Sequence, residues 1–267
     1  MHRCGRLHHI GDSDLRQETA EDRSQGSWLF DKSKKNYELK KILFKGLDLT
    51  IVTPSQWLAD MVKLSFLKDY PVKVINNGID LSVFKPTESD FRKRYNILKD
   101  NFILLGVAFG WGRRKGLDVF IELSKRLPDT YKIVLVGTSD KIDKQLPKNI
   151  ISIQRTQNQM ELAEIYTSAD LFINPTREEN FPTVNIESLA CGTPVLTFKT
   201  GGSSEIIDDS CGSVVERDNI EKLFDEIKRI CEQKPYSDKS CINRSKNYAA
   251  ENKFEEYYTL YKNLEIK

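Results

Sequence analysis

Leu171-Phe172-Ile173-Asn174 is a short apolar run that leads into the polar stretch Pro175-Thr176-Arg177-Glu178-Glu179-Asn180-Phe181-Pro182. Thr183-Val184-Asn185-Ile186-Glu187-Ser188-Leu189-Ala190-Cys191 follows, then Gly192-Thr193-Pro194 and a second apolar run from Val195. The pattern predicts a buried strand, a loop holding Glu179, and a helix with Pro182 at its first position, where a missing N–H costs nothing. Gly192 stops that helix. The amides of Thr183 and Val184 then point toward any anion at the helix N-terminus. Carboxylates at Glu179 and Glu187 beside an anion-seeking helix end suit a ligand that is part phosphate and part polyol, as a sugar nucleotide is.

Outward from this stretch, strands and helices alternate. Strands are predicted at Phe102 to Val107, Ile133 to Val136, Ile150 to Ile153, Val195 to Phe198 and Ser213 to Val215. The helices between them include one with Val119, Phe120, Leu123 and Leu127 on one face, one near 158–168 and a short one from Ser203. Short apolar strands with helical crossovers imply a parallel sheet covered on both faces, with ligands beyond the strand C-termini. Earlier in the chain, a helix is predicted at 34–45, a strand from Leu47 to Thr53, a helix capped by Ser55, a strand from Val72 to Ile75 and a charged helix at 88–96. Helices at 218–232, 238–249 and 252–264 close the chain. The expected fold class is α/β: a Rossmann-like, doubly wound parallel sheet over 88–267, preceded by a partial second α/β domain over 34–87. Residues 1–33 are charged and lack a period, and are expected to be disordered or non-native.

Composition removes several function classes. Lys and Arg total 41 against 39 acids, a net charge of +2, which offers no polybasic face for nucleic acid. No apolar run approaches the ~20 residues that span a bilayer. The three histidines, His2, His8 and His9, all lie in the first nine residues, so the expected folded region holds none for general-base or metal chemistry. Five scattered cysteines without C-x-x-C spacing fit free thiols in a reducing cytoplasm. Asp12-Ser13-Asp14 has the form of a D-x-D metal motif but lies in a structureless polar run and reads as chance; no metal cofactor is expected. Cys191 reads as a small buried residue rather than a nucleophile.

The Glu179–Glu187 stretch resembles the E-x7-E region of retaining glycosyltransferases of the GT-B fold, family 4. Four further segments fit the resemblance in order. Thr53-Pro54-Ser55-Gln56-Trp57-Leu58 resembles the family's strand-to-helix segment near the end of its first domain. Val74-Ile75-Asn76-Asn77-Gly78-Ile79-Asp80, with Phe84 and Pro86, resembles its interdomain signature. Arg113-Arg114-Lys115-Gly116 falls at the donor-phosphate loop, and Gly201-Gly202-Ser203-Ser204-Glu205 at the Gly-Gly loop beside the donor sugar. The match spans residues 37 to 265.

The resemblance implies roles. Glu187 holds the two ribose hydroxyls, and Glu179 bonds donor-sugar hydroxyls with backbone groups of Asn180 and Phe181 nearby. Lys115, Arg114 and Arg113 neutralise the diphosphate and the charge that grows on it as it departs. Gly201 and Gly202 let backbone approach the sugar. The chain departs from the commoner E-G-F-G-L-P pattern at Asn180 and Pro182; Pro182 offers no N–H, which makes Thr183, with its hydroxyl and amide, the substitute donor beside Val184. Gly110 stands where many members place an Arg, so Arg114 or Arg113 must reach round. Arg155 is a weaker candidate near the base.

The implied function is transfer of a sugar from a nucleoside-diphosphate donor to a glycan or lipid-linked acceptor, with retention, in polysaccharide or glycan biosynthesis. Peripheral membrane contact is compatible with such an acceptor. The first domain looks largely absent, which raises two rivals: a donor-binding remnant or partner subunit without turnover, and a plain nucleotide-binding or regulatory domain.

Overall fold

The computed structural model describes residues 33–265. The expectations for the first 32 residues, the Asp12-Ser13-Asp14 stretch and the histidines among them, lie outside the described residues. Two compact units divide the chain. One runs up to Val52 and resumes over Ala59–Lys73; the other joins Thr53–Leu58 to Val74–Lys267.

In the first unit, helix α1 (Ser33–Leu43) leaves Leu39, Ile42 and Leu43 exposed, and Tyr37 meets Phe66 edge-on at 5.1 Å. Strand β1 is only Ile51–Thr53, paired with β2 (Val72–Val74). The expected strand over Leu47 to Thr53 is thus too long, because its partner offers three residues of register. Helix α2 (Gln56–Lys63) follows β1 and begins in the second unit, where Ser55 does cap it, its buried Oγ accepting from Leu58 N at 3.2 Å.

The second unit is built on six parallel strands: β3 (Phe102–Val107), β4 (Tyr131–Val136), β5 (Ile150–Ile153), β6 (Leu171–Asn174), β7 (Val195–Phe198) and β8 (Gly212–Val215). Their order is β5-β4-β3-β6-β7-β8. The chain starts in the middle at β3, winds outward to β5, returns beside β3 as β6 and winds outward the other way. Strand order therefore reverses between β3 and β6, the topological switch point where ligands bind in such sheets.

Both faces of the sheet are covered, as the near-continuous apolar strands require. Leu104 faces α4 (Leu117–Arg126) and α9 (Ile220–Gln233), packing with Phe120, Leu123, Leu223 and Ile227. Ile103 and Leu105 face the other layer, with Ile165 and Tyr166 of α6 (Gln159–Ser168) and Ile186 and Leu189 of α7 (Thr183–Ala190). Each such buried side chain contributes about 1.5–3 kcal/mol. Gly106 is required in β3 because a Cβ there would stand 2.6 Å from the Phe120 ring.

The remaining helices differ in detail from their sequence readings. The 88–96 helix contracts to α3 (Phe91–Arg94), since Asn96 turns left-handed at φ 53° and breaks it. Two short helices, α5 (Asp140–Asp143) and α8 (Ser203–Ile206), sit in crossovers. The reading at 238–249 resolves into α10 (Asp238–Ser245), capped reciprocally by Ser237 and Ser240, and a 3-10 turn over Lys246–Tyr248. Helix α11 (Ala250–Glu265) ends the described chain with Phe254, Tyr258 and Tyr261 exposed. Its start is pinned to the Asn77-Gly78-Ile79 segment, where Ile79 N donates to Tyr248 O and Ala250 N to Ile79 O, both at 2.9 Å.

Candidate active site

Three loops meet beyond the C-terminal ends of β3, β6 and β7. The first, after β3, closes in a 3-10 turn over Arg113–Lys115, and Gly116 carries it into α4 with a left-handed φ of 76°. A Cβ at Gly116 would strike the Pro175 ring and carbonyl at 2.5 Å, so only glycine lets this loop lie against the one after β6. Arg177 fastens the two together. Its N–H donates to Arg114 O at 2.9 Å, its Nη1 to Arg113 O, and its guanidinium clamps Asp118 (2.8 Å twice) and Asp218 (2.7 Å). Arg177 is thus a strut rather than a ligand group, a role the sequence did not signal.

The loop after β6 is held from beneath by a buried polar network. Asn174 Nδ2 donates to Asn185 Oδ1 (2.8 Å), Asn185 Nδ2 to Ser203 Oγ (3.0 Å), and Thr197 Oγ1 to Asn174 O (2.9 Å). Each of these side chains finds a partner in the others or in the backbone, as burial requires. From the side, Asn77 Nδ2 donates to Phe181 O at 3.1 Å, which gives the Asn-Gly-Ile-Asp segment a concrete task. The third loop presses on the second through glycines. A Cβ on Gly201 would lie 1.7 Å from Glu179 O, and one on Gly202 2.2 Å from Asn180 O, which accepts from Gly202 N at 2.9 Å. The close approach these glycines permit is to the protein's own backbone.

This scaffold brings Lys115 and Glu179 together, with Nζ 2.5 Å from Oε2 at the reversal of strand order. Both side chains keep about a fifth of their surface exposed (21% and 20%). Arg113 and Arg114 are exposed on the same turn, and the Arg114 guanidinium has no partner among the described residues. Asn180 is exposed and its N–H donates to Glu179 Oε1 at 3.3 Å. Phe181 turns its ring into the core against Tyr248, 5.6 Å between centroids.

Pro182 is the residue before the helix rather than its first member, with φ −76° and ψ 112°; its extended ψ keeps it outside, and α7 begins at Thr183. That correction leaves the amides of Thr183 and Val184 at the mouth of the helix, with no protein acceptor among the described residues. The Thr183 amide stands open to an anion at the helix mouth. Glu187, one turn in, accepts from the Tyr166 hydroxyl at 3.1 Å. Burial raises the Glu187 pKa above the usual carboxylate range, opposed by those hydrogen bonds from Thr183 and Tyr166. Tyr166, buried beside that carboxylate, is pushed well above its ordinary value and stays a hydrogen-bond donor.

Arg155 is exposed past the end of β5 with no partner among the described residues. Cys191 is buried, and burial raises its thiol to about 12, so it is no nucleophile. Among the described residues no three His, Cys, Asp or Glu side chains converge on a cation position. A cavity of about 440 Å³ opens at the opposite, N-terminal ends of β6 and β7, but Arg92 on its wall is already paired with Asp170 at 2.6 Å.

Residues 88–248 match the family described as glycosyl transferases group 1. The D-inositol 3-phosphate glycosyltransferase of Mycolicibacterium smegmatis is 28% identical over 204 residues, which is 70% of this chain and 46% of that protein. The processive diacylglycerol alpha-glucosyltransferase of Acholeplasma laidlawii is 26% identical, over 57% of this chain and 48% of its own. The chain spans about half the length of the curated relatives it matches. Among solved structures, sucrose-phosphate synthase from Thermosynechococcus elongatus superposes with a TM-score of 0.77 at 21% identity, covering 94% of this chain and 70% of that one. Anabaena HepE in complex with UDP-glucose superposes at 0.71 and 19% identity, covering 86% and 68%. The fold is the GT-B Rossmann-like domain, and the chain belongs to the glycosyl transferases group 1 family.

Proposed function

From that family membership, we propose that this chain binds a nucleoside diphosphate sugar beyond β3 and β6 and transfers the sugar to a glycan or lipid-linked acceptor with retention of configuration. The observation that carries the reading is the meeting of Lys115, Glu179 and the open amides of Thr183 and Val184 at the one place where strand order reverses. In this reading the diphosphate lies between the helix mouth and the cations of Lys115, Arg114 and Arg113. Glu187 accepts from both ribose hydroxyls, and Glu179 with the Asn180 and Phe181 backbone orients the sugar.

Cleavage of the bond between the anomeric carbon and the diphosphate oxygen places growing charge on that oxygen. Lys115 and Arg114 face it and act without a metal, stabilising the transition state more than the bound donor. The acceptor oxygen forms the new bond at the anomeric carbon, and its proton passes to the departing phosphate. Lys115 releases Glu179 as it turns to the phosphate, which frees the carboxylate for sugar hydroxyls. HepE structures hold UDP and UDP-glucose, which favours a uridine donor, and the relatives' names favour O-antigen or glycolipid assembly.

Calorimetric titration with a panel of nucleoside diphosphate sugars tests the site. Lys115→Ala and Glu187→Gln should each weaken binding by about 1–3 kcal/mol, the range for a lost charged hydrogen bond. Unchanged affinity in both removes the assignment. Because the relatives are about twice as long, a second reading is binding without transfer. Release of free nucleoside diphosphate when donor and acceptor are mixed separates the two.

A further inference from the structure

One aromatic side chain stands at this site that the mechanism above does not use. Trp57 follows the cap residue Ser55 at the start of α2, and 36% of its surface is exposed. Its Cε3 lies 3.6 Å from the point where a Gly201 Cβ would stand, and Glu179 O lies 1.7 Å from that same point. The indole and the Glu179 carbonyl therefore both lie against the side-chain position of Gly201.

Glu205, four residues past Gly201, holds the indole's backbone there. Its two carboxylate oxygens accept from Gln56 N at 2.9 Å and Trp57 N at 2.7 Å, a bidentate clamp across 148 residues of sequence. Glu205 is itself anchored, its carbonyl accepting from Arg244 Nη2 at 2.8 Å.

On the donor reading above, on which this rests, we infer that Trp57 is a platform for the apolar C–H face of the donor's sugar, and that Glu205 is a positioning residue for it. A pyranose presents hydroxyls at its rim and C–H groups on its face. Glu179 addresses the rim; the indole offers a flat apolar surface for the face, the usual division of labour in a polar-ligand pocket. Trp57 thereby contributes to recognition of the sugar and not of the nucleotide.

The test compares UDP with UDP-glucose, and GDP with GDP-mannose if the uridine pair is silent, by calorimetry on this chain. Trp57→Ala should lower the affinity for the nucleotide sugar about tenfold while the plain nucleotide changes less than about twofold. Glu205→Ala should lower the same ratio, and should lower it no further when Trp57 is already Ala, which a general loss of structure would not reproduce. Should Trp57→Ala fail to fold, Trp57→Phe and tryptophan fluorescence replace it: the emission change produced by the nucleotide sugar but not by the nucleotide should vanish. Equal losses for nucleotide and nucleotide sugar, or an unchanged ratio, overturn the role of Trp57 while leaving the donor site standing. Failure of the unsubstituted chain to bind any of the four overturns both.

Discussion

Glu226 and Glu187 are half-hidden or buried carboxylates on helices that flank the same sheet, yet the protein treats them in opposite ways. Glu226, on α9, receives Arg229 Nη2 and Ser213 Oγ at 2.8 Å each and Lys222 Nζ at 3.2 Å. Burial there opposes ionisation, but those hydrogen bonds outweigh it and hold the carboxyl down to about 2. Glu187, on α7, has only the hydroxyls of Tyr166 and Thr183, and burial wins, raising its pKa. The contrast separates an acid neutralised by cations from one held by hydroxyls alone. A carboxylate matched by cations stabilises the fold; one left with two neutral donors costs the fold something in its charged form.

The largest expected effect breaks the structural half of the pair. Glu226→Ala leaves Arg229 and Lys222 facing an empty position and should destabilise the chain by about 2–4 kcal/mol in urea unfolding. Nucleotide-sugar affinity should be unchanged in the same protein. An equal loss of affinity would mean that the two acids are not separate in function.

Next in size is the pH response. Because the folded-state pKa of Glu226 is depressed, its stabilisation is present above the ordinary carboxylate range and is lost as pH falls toward about 2. Glu187 has the opposite sign. Its raised pKa penalises the charged form, so the cost is absent in acid and appears as pH rises through the raised value. Glu187→Gln should therefore match or exceed the parent in stability near pH 8, with the difference disappearing by pH 4, while Glu226→Gln loses most near neutrality. Denaturation midpoints across pH would show it; a Glu187→Gln deficit at pH 8 would contradict it.

The smallest expected change concerns the strut. Arg177→Ala removes partly exposed pairs to Asp118 and Asp218, worth about 0.5–1 kcal/mol of stability. Its main consequence should be a looser Arg113–Lys115 turn, read as faster amide exchange at Lys115 and Gly116 with little shift in the unfolding midpoint.

Particular residues show how far the sequence could be read. The placement of Glu179 in a loop, of Glu187 on a helix and of Lys115 in a basic turn after an apolar strand was legible. Arg177 was not, since it lies in the same polar stretch as Glu178 and Glu179 and nothing local marks it as a clamp on a turn 63 residues earlier, at Arg114. Gly201 and Gly202 read as room for a ligand, and the structure gives that room to the carbonyls of Glu179 and Asn180. Pro182 was placed one residue too far into the helix because composition shows its fixed φ but not its ψ.

Sequence alone determined the alternation of strands and helices, the covered parallel sheet and the loop, turn and helix positions of Glu179, Lys115 and Glu187, because period, turn residues and charge act over a few neighbours. Only the tertiary structure decided that strand order reverses between β3 and β6, that Lys115 and Glu179 meet there, and that Glu205 reaches back to hold Trp57. Those outcomes depend on groups 64 and 148 residues apart, and no local preference encodes which of many distant partners a side chain will meet once the core has packed.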